Sequence, residues 1–427
     1  MATSVYSSTG KFNFGSRGWL VIIVQACVYW VGAGILTHGL NVTLPELSKF
    51  YHLDYNEMLF FVTPASWAAI PAAPIFAWLC NKKGIKFNQM FCLIMSIISY
   101  GLLGYCDSIA KFTLAYAAVS FFGTGFTYIG GTALVASWFV KKQSLALGFT
   151  SFGQTFSSSL FVPILALSFS IVGVQHGFWI MSAIMLVILV VITLFVAGKP
   201  EDVGLLPDNE QPTAEILKTL ATQETTQEDL GLTASKLLKM KDVWFMGIST
   251  GAIYIMLVGV ISQIVPRLIE IGLSPEVAIS YMSISALVGG LFGAYGWGWI
   301  NHKLGIKRAL LIYTLWWMMA LALNIANSQT LLLVSMGMIG LALPGATNYS
   351  TSFIATKFPR AAYIKALGVI HPIQSIIRCC AFSILALGLT YLGGYAGAYM
   401  LLILIGALTL VIIWFTNLTP YQAKQNQ

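Results

Sequence analysis

Three side chains in one apolar stretch carry the chemistry that most needs explaining. Residues 362–388 are nearly free of charge, yet they hold His371, Gln374 and Arg378. Steps of three and four residues bring helical side chains onto one face, so these three read as one polar stripe. Arg378 would lie about sixteen residues, roughly 24 Å, along such a helix, with His371 near its middle. A guanidinium presents a planar fork that gives a carboxylate two parallel hydrogen bonds. Ionisable groups inside apolar spans are costly and are functional candidates by default. All 15 acidic residues fall outside the interiors of the apolar runs. A buried positive charge without an internal counter-ion repels cations and calls for an anion, which points to an anionic substrate. The structural alternative makes Arg378 a cap for buried carbonyls, and His371, followed by Pro372, a packing residue at a helix bend.

Other groups are less informative. Arg267 sits three residues before Glu270 on one helical face, which suggests a gate or ion pair, or a side chain reaching to the interface. The six cysteines show no metal-type spacing and read as small packing residues. With five histidines, no His-Glu-x-x-His, no Gly-x-Ser-x-Gly and no acid within a span, an intramembrane enzyme is not expected. No metal and no cofactor are expected either.

The elements that must position these residues follow from composition. The chain has 427 residues, 57% apolar and 9% charged, against about 25% charged in an ordinary soluble domain. That excludes a soluble enzyme, a nucleic-acid binder or a disordered chain as a description of the whole. A spanning helix takes roughly 20 apolar residues. Runs of that kind lie at 19–40, 57–80, 87–106, 112–137, 145–169 and 177–197, then at 243–269, 277–300, 309–326, 330–356, 362–388 and 393–416. They are too long for alternating barrel strands, and lipid admits only helices or closed barrels. The expectation is an all-α membrane protein of twelve transmembrane helices. Placing the N-terminus in the cytoplasm puts 19 of the 23 basic residues on that side, so both termini are expected there, in a plasma membrane or, in a prokaryote, the inner membrane. The first run reads as an uncleaved helix. Residues 198–241 form a polar linker, with a short amphipathic helix expected near Ala214–Thr222.

The two sets of six runs resemble each other. Trp78–Lys86 aligns with Trp299–Lys307 at an offset of 221, and Ala146-Leu147-Gly148 with Gln154 aligns with Ala366-Leu367-Gly368 and Gln374 at 220. Duplication explains two matches at nearly one offset. Six helices per copy is an even number, so the copies have the same orientation and form a parallel repeat: bundles 1–197 and 242–427, joined by the linker. The repeat nominates Gln154 as the counterpart of Gln374.

Two parallel six-helix bundles with a long linker resemble the major facilitator superfamily. Trp78–Lys86 is similar to that family's Gly-x-x-x-Asp-Arg-x-Gly-Arg-Lys loop, with Asn81 near the acidic position and Lys82 or Lys83 at the arginine. Trp138–Gly148 and Lys199–Asp208 resemble segments of the oxalate/formate-antiporter and monocarboxylate-transporter branch. The resemblance implies a central cavity lined by helices 1, 2, 4, 5, 7, 8, 10 and 11, and so points to Tyr29, Trp67, Tyr128, Tyr254 and Asn348. It implies a secondary active transporter of an organic anion, by proton symport or by anion exchange, working as a monomer. The branch often carries a helix-8 arginine; 280–299 contains none, which favours a monocarboxylate over a dianion. The alternative is an exporter of neutral or lipophilic compounds with Arg378 structural.

Overall fold

A computed structural model describes residues 13–139, 142–210, 233–326, 328–358, 360–419 and 421. The helix expected at Ala214–Thr222 lies outside them. All regular secondary structure among the described residues is helical. Ten helices are long and apolar enough to span: α1 (Gly15–His38), α2 (Tyr55–Lys83), α3 (Ile85–Tyr105), α4 (Ile109–Trp138), the continuous Ala146–Phe195, α7 (Lys241–Glu270), α8 (Pro275–Leu304), α9 (Ile306–Ile325), α11 (Ala366–Tyr391) and α12 (Tyr395–Phe415). Gln329–Ala342 and Gly345–Lys357, bent by 44°, make α10. Ala146–Phe195 has 50 residues, about 75 Å of helix, more than twice a hydrocarbon core of roughly 30 Å. It breaks at Gly173, whose φ of 77° is outside the helical region, and this divides it into α5 (146–172) and α6 (174–195). Twelve spans result.

Polar side chains start several of these helices where the sequence changes character. Asp54 accepts from the Glu57 N–H at 2.7 Å before α2, and Ser108 and Ser274 cap α4 and α8 in the same way. The helix of α1 continues past the expected end as an extension, Leu40–Tyr51.

The repeat read from sequence has a physical counterpart in each half. Gly84 and Gly305, at matching positions between second and third helices, have φ of 95° and 77°, a backbone that favours glycine. Lys82 lies 4.7 Å from the centroid of the Trp78 ring, and Lys303 lies 4.5 Å from that of Trp299. Lys86 Nζ donates to Thr193 O at the end of α6, and Lys307 Nζ donates to Thr416 O just past α12. Both lysines cap orphan carbonyls at the close of their bundle.

Asn13, Asn417 and the start of the linker, Lys199–Asn209, lie on one face, the terminal face. There Lys142 binds Asn13 O at 2.7 Å, and Asp208 accepts from the Lys142 N–H at 2.9 Å. Asp242 and Lys357 pair at 2.6 Å, and Lys357 also donates to Asn417 O.

The hydrogen bonds that join the bundles cluster from mid-span to the opposite, far face. Tyr55 donates to Gln263, Trp67 Nε1 to Ile376 O, Ser159 Oγ to Ser283 O and Ser283 Oγ to Ser158 O. Toward the terminal face a side chain added at Gly148 on α5, Gly296 on α8 or Gly368 on α11 would meet nothing within 4 Å. The halves are closed at the far face and parted at the terminal one.

Candidate functional site

The cavity between the halves is built around Arg378. Its N-terminal wall is made largely of hydroxyls: Thr37 on α1, Ser66 on α2, and Ser120, Thr124 and Tyr128 on α4. Its C-terminal wall is Val258 on α7 with Arg378, Cys379 and Phe382 on α11. Counted out to its mouth, the cavity holds about 390 Å³ of empty space. Arg378 is half-buried. Among the described residues its guanidinium makes no ion pair and no hydrogen bond to a protein oxygen; the polar group beside it is the Cys379 thiol, and Tyr128 and Tyr254 lie within electrostatic range. A cation held this way at an apolar, water-accessible wall has donors free for an anion.

The predicted stripe divides. His371, seven residues before Arg378, shares its face and is exposed to the space between the halves. Gln374 does not join them. It is 4% exposed and donates to Ser350 Oγ on α10 at 3.2 Å. At 100° per residue, position 374 lies about 60° round from 371, enough to turn it into the α10–α11 contact. Its repeat counterpart Gln154 is half-buried on α5.

The aromatic candidates border the same region unequally. Tyr29 is buried against Tyr128, with ring centroids 6.2 Å apart. Trp67 is exposed, with its indole N–H bound to Ile376 O across the interface. Tyr254 donates to Thr347 Oγ1 at 3.1 Å, and the exposed Asn348 accepts from Ser352. Arg267 pairs with Glu270, donates to Asn324 O at 2.9 Å and lies over the Tyr395 ring. All these partners belong to the C-terminal half, so Arg267 ties α7 to α9 and α12 within one bundle.

Four polar groups escaped sequence reasoning. The Ser120 hydroxyl is buried at the cavity wall without a hydrogen-bond partner. His38 is buried in a π-helical turn (Gly34–His38) with its Nδ1 2.5 Å from Ser158 Oγ, itself in the π-helical turn Ser157–Phe161. Such turns often mark functional sites. Asn41 and Thr63 reach across the far face. A lone apolar-flanked serine, asparagine or threonine gives no signal in one sequence. The histidine lay within the first expected run, 19–40, and its ionisable ring was the signal that could have found it.

A membrane-embedded pair of bundles with a cationic site between them defines the class of protein. The Major Facilitator Superfamily model matches residues 19–296, and the chain belongs to that family. It is similar to the oxalate:formate antiporter of Oxalobacter formigenes, 23% identical over 55% of this chain and 51% of that protein. The hexose-6-phosphate:phosphate antiporter of Salmonella typhimurium is 25% identical over 69% of this chain and 64% of its own length. Monocarboxylate transporter 14 of Mus musculus is 21% identical over 47% and 39%. The chain thus spans between two-fifths and two-thirds of these relatives. The D-xylose-proton symporter structure superimposes with a TM-score of 0.70 at 15% identity, covering 94% of this chain and 98% of that one. A bacterial homologue of Spinster, in an inward-facing conformation, superimposes with a TM-score of 0.67 at 17% identity over 95% and 96%.

Proposed function

We propose that the chain is a secondary transporter of a small organic monocarboxylate, with Arg378 as the carboxylate anchor. The observation that carries this reading is the Arg378 guanidinium on the cavity wall with no carboxylate partner among the described residues. The names of the three curated relatives support it, since oxalate, formate, hexose 6-phosphate, phosphate and monocarboxylates are all anions. Alternating access follows from the two bundles, 1–197 and 242–427, rocking about a central site. With both termini cytoplasmic, as the lysine and arginine bias suggests, the parted face opens to the cytoplasm of a cell whose plasma or inner membrane holds the protein. The chain acts as a monomer. Its aromatic border of Tyr29, Trp67, Tyr128 and Tyr254 suits an acid with an apolar body.

Coupling has two forms that this chemistry allows. His371, on the Arg378 face, can carry a proton with the anion, or one anion can exchange for another with no proton group involved.

The test is Arg378→Gln in purified protein. Thermal-shift stabilisation by monocarboxylates should vanish and uptake into proteoliposomes should fall at least 100-fold, the scale of one charge-assisted bidentate contact of roughly 3 kcal/mol. Retained carboxylate stabilisation, or intact efflux of neutral compounds, would sink the assignment.

A further inference from the structure

Two side chains of the N-terminal half do more than touch the opposite bundle. Each occupies both members of one backbone rung in it. Asn41, 1% exposed on the extension of α1, donates to Ile261 O and accepts from the Val265 N–H at 3.0 Å. Ile261 and Val265 are an i, i+4 pair of α7. Thr63, 4% exposed on α2, donates to Cys379 O at 2.7 Å and accepts from the Ser383 N–H at 3.0 Å. Cys379 and Ser383 are an i, i+4 pair of α11.

Both rungs sit where the receiving helix is weak. Pro266 has no N–H, so Ser262 O lacks its helical donor, and the Gln263 side chain donates to it instead at 2.9 Å. In α11 the helical run is interrupted at Cys380, between Arg360–Cys379 and Ala381–Tyr391. Helices bend where a side chain inserts into the ladder or a proline interrupts it. Each weak turn therefore also takes a bonded side chain from the other bundle, Asn41 on α7 and Thr63 on α11.

We propose that Asn41 and Thr63 are the latches that hold the far face shut, and that the outer turns of α7 and α11 alternate between two bonded states. With the far face closed, the rungs are bridged by Asn41 and Thr63. When the bundles rock apart both side chains withdraw together, and each helix closes its own rung, 261 to 265 and 379 to 383. Leaving four buried polar groups unbonded would be costly, so a partly withdrawn state is disfavoured and the closure is two-state. The same contacts bury the asparagine of the Asn41-Val42-Thr43 triplet, which cannot accept a glycan in this state.

The proposal rests on the alternating-access reading, but its test needs no substrate and so separates its failure from that of the cargo assignment. Cys379 lines the cavity and is the reporter; the other five cysteines are replaced by serine. An impermeant maleimide is applied from the far side of oriented proteoliposomes. Asn41→Ala with Thr63→Val should raise the labelling rate of Cys379 by at least about tenfold, the scale of losing one net hydrogen bond. Thr63→Ser keeps a donor and an acceptor and should label at the parental rate. An unchanged rate in the double variant, or an equal rise in Thr63→Ser, overturns the proposal. If the double variant does not fold, Asn41→Asp, which accepts but cannot donate to Ile261 O, should by itself raise the far-side labelling rate of Cys379 above the parent's; an unaltered rate overturns the proposal as well.

Discussion

At the residue scale the informative fact is asymmetry around the cavity. The C-terminal wall supplies one cation among apolar neighbours, while the N-terminal wall supplies hydroxyls, of which Ser120 is buried with no partner. A site with an unpaired buried polar group favours a ligand that can bond it. Ser120→Ala, which keeps the cavity's shape, should weaken carboxylate binding by about three- to tenfold, read from the ligand concentration that gives half the thermal shift. An unchanged value would mean the hydroxyl never meets the ligand. Arg378 was legible in the sequence because composition isolates it: a guanidinium in an apolar run, with every acid elsewhere, has few bland explanations. Gln374 was misplaced on the stripe because a three-residue step leaves an angle wide enough to reach the next helix. Asn41 and Thr63 could not be read at all, since their partners lie more than 200 residues away and are backbone atoms.

At the element scale, local sequence chemistry fixed the helices and small residues fixed how they cross. The apolar runs anticipate all twelve spans, and the break at Gly173 separates the fifth and sixth within the gap between the two expected runs. The same repeat that aligned Trp78 with Trp299 recurs as paired lysine–tryptophan contacts and paired lysine caps. Gly289, Gly290 and Gly293 cluster in the sequence of α8, but whether each serves packing cannot be decided without neighbours. On α8 the structure distinguishes them. A Cβ at Gly289 would come within 2.0 Å of Gly340 C, and one at Gly293 within 2.0 Å of Leu341 O on α10, whereas at Gly296 it would meet nothing within 4 Å. Small residues let spanning helices approach this closely. Gly293→Val should therefore cost at least about 3 kcal/mol, the upper range for overpacking, and lower the melting temperature of the purified protein. Gly296→Ala should leave it within a degree or two. Equal effects would show that the α8–α10 crossing is not set by backbone contact.

At the scale of the whole molecule, the two ends of the interface behave oppositely, and the repeat shows which residues report on the open one. Gly148 and Gly368 occupy matching positions on α5 and α11, and both are exposed with nothing near an added side chain. Gly148 shares a helical face with Thr155, seven residues on, which packs against Gly290 of α8 in the opposite half. Gly368 shares a face with Cys379, eleven residues or about three turns on, which lines the cavity. Both therefore face the parted space. If the bundles rock, opening the far face must bring these positions into contact, and bulk there should block the motion without touching the site. Gly148→Trp with Gly368→Trp should leave carboxylate binding within about twofold, since neither residue lines the cavity, and reduce uptake more than tenfold, because a close-packed interface cannot absorb two indoles. The pair should also suppress far-side labelling of Cys379 even in the presence of Asn41→Ala and Thr63→Val. Transport that survives the two tryptophans would mean that the halves exchange access without closing this face, and rigid-body rocking would have to give way to local movement of α7 and α11.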